Sequence, residues 1–128
     1  MNMVERHKAV LQRLQLLAHS PDADAIRALF TEDFQLHAPN APNWPVGHEG
    51  AVRMFAQMHE RYPHIELIAE DVFGDGERMC VRWRYVNRVG EAFEAVGISI
   101  YRFEGERIAE DWGVDFVLPA NHPWSRRV

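Results

Sequence analysis

GISIYRFEGERIAEDWGVD, residues 97–115, is the stretch that decides the fold. Two runs rich in β-branched and aromatic residues, 95–103 and 107–117, flank a short turn, and Gly105 offers the positive φ a tight hairpin needs. It reads as a hairpin at the end of a sheet. Just ahead, 79–86 alternates cleanly, with Met79, Val81, Trp83 and Tyr85 on one side and Cys80, Arg82, Arg84 and Val86 on the other. Further back, 65–73 alternates loosely and stops at Gly74-Asp75-Gly76, a strong turn signal.

The N-terminal half changes period. Val10, Leu11, Leu14, Leu17 and Ala18 recur at the spacing of one buried helical stripe over 4–18. Ser20 is expected to cap a second helix with Pro21 at its first position, and Ala25, Ile26, Leu29 and Phe30 to form its inner face. A short strand at 34–38 runs into a loop, 39–45, where three prolines and Trp44 predict a stiff overhang at a cavity mouth. Residues 47–62 read as a third helix, with Val52, Phe55, Ala56 and His59 along one face and Pro63 as its stop. The order is helix, helix, short strand, helix, then three long strands, an α+β arrangement.

At 128 residues the chain suits one domain, 1–128, large enough for a real core. With 47% hydrophobic and 26% charged residues it has ordinary globular composition. The net charge of −5 is spread along the chain, and no basic stripe marks a nucleic-acid footprint. Glu5, Arg6, Lys8 and Arg13 interrupt the first apolar run, and no stretch approaches a membrane span. The expectation is a cytoplasmic protein without nucleic-acid or membrane partners. Cys80 is the only cysteine, so it reads as a small hydrophobe in the sheet. None of the seven histidines has HExxH-type spacing, and neither a phosphate loop nor a dinucleotide fingerprint occurs. No metal and no cofactor are expected.

The strand from Phe93 to Phe103 carries the clue to function. One face reads Phe93, Ala95, Gly97, Ser99, Tyr101, so three small residues in a row leave space for an apolar small-molecule ligand, unless Phe30 and Phe55 fill it. The other face carries Val96, Ile98 and Ile100, and Trp112, Val114 and Phe116 of the next strand extend it. An apolar sheet face that no helix remains to cover marks a protein interface, here a homodimer through the convex sheet face.

The element order, the glycines of GHEG at 47–50 and the EDWG at 110–113 resemble the SnoaL-like branch of the NTF2-like superfamily over nearly the whole chain. The resemblance implies a cone, with three N-terminal helices packed on the concave face of a curved, mostly antiparallel sheet. It also implies sheet-to-sheet dimers, and one cone-shaped pocket that different members furnish with different acid/base groups. Ketosteroid isomerases of this superfamily use a tyrosine, an aspartate and a further acid at positions matching Leu14, Ala38 and Ser99. The Arg and Asp groups of limonene epoxide hydrolase-like members fall on Trp83, Tyr85 and Gly113. Polyketide cyclases of the SnoaL type use a last-strand Asp, which Gly113 replaces. The ketosteroid isomerase reaction is accordingly not expected.

Strand parity still places Asp111, Gly113 and Asp115 over the small-residue floor, opposite a face assigned to Ile108, Trp112, Val114 and Phe116. Asp111 is the first choice for a general acid or base, because an apolar pocket raises a carboxyl's pKa towards neutrality. The structural alternative is pairing with Arg82, Arg84 or Arg107. His37, where SnoaL-like sequences often carry a His, and Tyr85 are expected to assist. Ligand-binding candidates are Trp83, Ser99, Tyr101, Phe55, His59 and Asp115, each equally open to plain packing or, for His59, a satisfied core histidine. His48 reads as a helix cap. Two functions remain open: a cofactor-free cyclase- or isomerase-type enzyme acting by proton transfer on an apolar carbonyl-bearing molecule, and a non-catalytic ligand-binding or dimerisation module.

Overall fold

Asn2 starts the first helix: its side chain accepts the Glu5 N–H and frees the apolar stripe behind it to wind as α1 (Met3–His19). A computed structural model describes residues 1–126. α2 (Ala23–Leu29) is capped by Asp22, whose Oδ1 accepts the N–H groups of Asp24 and Ala25. Ser20 instead closes α1, so the expected Ser-Pro start lies two residues early. An aspartate at that position satisfies two orphan N–H groups at once, which Ser20 is too far back to reach.

Strand β1 (Phe30–His37) begins earlier than its sequence pattern predicts, and Phe30 belongs to it rather than to α2. It leads through the 38–47 loop into α3 (His48–Arg61). Four strands follow, not three: β2 (Glu66–Gly74), β3 (Arg78–Asn87), β4 (Phe93–Glu104) and β5 (Arg107–Val117). Only two helices therefore precede the sheet. The sheet order is β1-β5-β4-β3-β2, with β1 parallel to β5 and every other pair antiparallel. No helix among the described residues is long and apolar enough to cross a membrane.

The helices cover one side of the curved sheet. Leu11, Ala18, Ile26, Phe30, Phe34 and Phe55 are buried there, with Phe34 edge-on to Phe30 at 4.8 Å between ring centroids. Alternation along β4 holds as the sequence predicts: Ala95, Gly97, Ser99, Tyr101 and Phe103 face the helices, while Ile98 and Ile100 face away. Between Arg102 and Phe103 the β4–β5 register shifts by one, leaving Ala109 as an extra residue. The bulge turns Ile108 into the helix-side core, where it is fully buried, correcting its assignment to the outer face.

The outer face keeps a row of apolar side chains in the open. Ile98 is 51% exposed, Trp112 53% and Phe116 58%, with Ile100 and Val114 alongside. Next to this row lies a buried ionic cluster. The Arg84 guanidinium donates to Glu94 at 2.7 Å and to Glu70 at 3.2 Å. The C-terminal segment folds over them, where Ser125 Oγ and the Arg126 N–H also reach Glu94. Burial raises the Glu94 carboxyl, but these hydrogen bonds outweigh it and hold it below its ordinary range.

Candidate functional site

The helix-facing side of β3, β4 and β5 brings Trp83, Tyr85, Ser99, Tyr101, Asp111 and Asp115 together. Their juxtaposition follows from register. Tyr101 lies opposite Asp111, Ser99 opposite Gly113, and Gly97 opposite both Asp115 and Trp83. Where small residues hold the floor, larger neighbours lean across it. The Trp83 indole N–H reaches the Tyr101 hydroxyl at 2.9 Å. A Cβ on Gly97 would stand 2.1 Å from Asp115 Oδ1, so that carboxylate rests directly over the glycine. Tyr85 donates its hydroxyl to the same Oδ1 at 3.2 Å.

Asp111 is the deeper of the two aspartates. It is 5% exposed, and its Oδ1 is buried with no hydrogen-bond partner among the described residues. Burial pushes its pKa up to about 7, the Ser99 hydroxyl opposes that, and the Asp115 charge adds to it. Asp115 is raised as well, by burial of its carboxyl against the donated Tyr85 bond. Both tyrosines sit well above their ordinary range, first because burial disfavours the phenolate and then because the aspartates repel it. They serve here as neutral donors.

Two of the arginines weighed as structural partners of Asp111 go elsewhere. Arg82 and Arg84 pair with Glu70 and Glu94 on the outer face. His37 also lies on that face, away from Asp111. Its Nε2 meets Glu110 at 2.7 Å and its ring stacks on Trp112 at 3.8 Å, because Leu36, not His37, faces inward beside Asp111. The expected His37–Asp111 partnership is thus corrected by strand parity. Glu110, held below its ordinary range first by the Arg102 hydrogen bond, completes a surface ion network.

The remaining candidates divide. Phe55 is packed in the core at 6.2 Å from the Phe30 ring, as the structural alternative had it. His59 on α3 is half-buried, with an Nδ1 that is buried and without a partner among the described residues. His48 bonds the Phe30 carbonyl at 2.9 Å and so ties α3 to β1 rather than capping it. The Trp44 indole donates to the Gly50 carbonyl at 2.9 Å, pinning the proline loop onto α3 instead of over a mouth. A cavity of about 400 Å³ opens on the outer face among Ile100, Arg102, Glu110 and Trp112. Among the described residues, no group of three or more His, Cys, Asp or Glu is arranged to hold a metal.

Sequence reasoning missed two features. The Trp83–Tyr101 bond was hidden because Trp83 read as apolar wall. The Arg84–Glu94–Glu70 cluster had one visible sign, a glutamate beside the apolar run Val96, Ile98 and Ile100 on the same strand face.

Comparison with known proteins adds a family and a fold. A sequence profile described as the SnoaL-like domain matches residues 11–111. No curated protein matches the chain. Among solved structures, a candidate polyketide cyclase from Acidithiobacillus ferrooxidans superposes with a TM-score of 0.75 at 16% identity, over 90% of this chain and 91% of that one. Wild-type IdmH, a candidate polyketide cyclase from Streptomyces antibioticus, gives 0.72 at 20% identity over 85% and 91%. A ketosteroid isomerase-like fold from Catenulispora acidiphila, solved in complex with trimethylamine, gives 0.70 at 14% identity over 88% of each chain.

Proposed function

This chain belongs to the SnoaL-like domain family, and from that premise we propose that it is a cofactor-free, cytoplasmic small-molecule enzyme in which Asp111 moves the proton. The observation that carries the reading is the buried, partnerless Asp111 Oδ1 beside Ser99. With a pKa of about 7 the carboxyl exists in both forms near neutral pH. The ionised form takes a proton from the carbon next to a substrate carbonyl, and the neutral form returns it. Tyr101, held as a neutral phenol, supplies a hydrogen bond to the developing enolate oxygen, while the Tyr85 hydroxyl holds Asp115. Trimethylamine remains a property of the Catenulispora protein; at 14% identity only its fold bears on this chain.

Carbonyl compounds with an acidic α-hydrogen test the proposal in D2O. The protein should accelerate exchange of that hydrogen, and Asp111→Asn should slow it by about a hundredfold or more. Equal exchange by the variant would transfer the role to Asp115. No exchange by either protein favours the second reading, binding without chemistry, which Leu14 and Gly113 at the positions of relatives' catalytic groups support.

We also propose a homodimer through the outer sheet face. The exposed row of Ile98, Ile100, Trp112, Val114 and Phe116 supports it, since a soluble monomer rarely displays so continuous an apolar strip. Sedimentation at micromolar concentration should give about twice the chain mass, and Ile98→Lys should give the monomer. A monomeric parent protein would refute the interface.

A further inference from the structure

Asp111 and Asp115 share one side of the sheet, with no basic partner among the described residues. What acts on Asp111 is burial, the Ser99 hydroxyl and Asp115; what acts on Asp115 is burial and the Tyr85 hydroxyl. On the outer face Arg82 and Arg84 are engaged with Glu70 and Glu94, and Arg102 with Glu104 and Glu110. Gly113 stands between the two acids and adds no side chain. A Cβ there would come 3.3 Å from Asp111 Oδ1 and 3.0 Å from Ser99 Oγ, so the glycine keeps open the side of the oxygen that has no partner. Trp83, Tyr85 and Tyr101 surround the lane with aromatic surface, which also attracts organic cations.

We propose that the lane between Asp111 and Asp115, cleared by Gly113, is a subsite for a protonated amine, a small alkylammonium group on the ligand. The inference rests on the reading that Asp111 faces the ligand, and it adds that the ligand carries a basic nitrogen. The physical reason is charge balance. Asp111 is buried, and Asp115 at the exposed end of the lane adds like charge to it, so in the unliganded protein a proton offsets the buried carboxylate. An ammonium group does the same task, and its arrival expels that proton. Among the described residues, the other titratable groups on this side of the sheet include Tyr85, Tyr101, His59 of α3, Tyr62 stacked on Phe93, and His7 of α1, which is bonded to the Gly76 carbonyl.

Propylammonium chloride is the probe, with the neutral alcohol 1-butanol, one methylene longer, as its control, read by carbon NMR of the aspartate carboxyls and by calorimetry on the full chain. Propylammonium should bind and butanol should not. Affinity should rise by up to about tenfold per pH unit below the Asp111 pKa, then level off, as expected for release of one proton. Asp115→Asn should weaken the ammonium by about tenfold or more while Asp111 still titrates near neutrality. Equal binding of butanol, or an Asp115→Asn variant that binds as well as the parent, would overturn the amine subsite alone. An Asp111 that titrates as an ordinary carboxylate would overturn the reading beneath it too.

Discussion

Raising the pH from about 5 to about 9 should cost the folded protein on the order of 3 kcal/mol through Asp111 alone. The folded carboxyl titrates at about 7, whereas an unfolded aspartate titrates near 3.9. Between those values the folded state binds more protons, so stability falls as pH rises and the penalty is complete above about 7. Asp115, also raised, pulls the same way. Glu94 and Glu110 are lowered, so their opposite contribution is confined to acid below their ordinary range. Urea unfolding across this window should show the parent losing stability with pH. Asp111→Asn, neutral throughout, should lose much less and should be the more stable protein at about pH 8. Parallel slopes for the two would refute the neutral buried acid and, with it, the case for proton transfer at this residue.

Glu94→Ala should cost about 3–5 kcal/mol, because it strands the Arg84 guanidinium in a buried site with half its partners gone. Glu94 is wholly buried, and it also anchors Ser125 and the Arg126 N–H. The variant should therefore release the C-terminal segment as well as lower the urea midpoint, which faster proteolysis near Trp124 would report. Removing both charges together, with Arg84→Met and Glu94→Leu, should recover most of the loss, since well-packed apolar side chains often equal a buried ion pair. A loss below about 1 kcal/mol for Glu94→Ala would mean that water reaches the cluster.

The fold was legible because its signals are local. Period-two alternation within 79–86 and 93–103 and the turn glycines at 74, 76 and 105 marked the β2–β3 and β4–β5 hairpins, and the register of their strands set which residues share a face. Asp111 followed from the same parity. What escaped depended on tertiary competition. Phe30 is a good helix-face residue by spacing, yet β1 claims it for the core against Phe34 and Phe55. His37 attracted a site role by its type, but one step of strand alternation puts it on Trp112. The space above Gly97 could not be read as empty or filled, because the side chain that covers it comes from another strand. Glu94 needed its partners from β3 and the distant 125–126 segment, which no local pattern announces.

As the supernumerary residue of the bulge, Ala109 lets Ile108 and Asp111 both face the helices, opposite Phe103 and Tyr101, although they stand three apart in the chain. Delete it and the ladder closes into regular pairing: Asp111, Gly113 and Asp115 keep Tyr101, Ser99 and Gly97 as partners, and Trp112, Val114 and Phe116 stay on the outside. The two faces of β5 are thus held in phase by β4 and not by the count of residues. A chain one codon shorter at this point would keep both its inner acids and its outer adhesive strip.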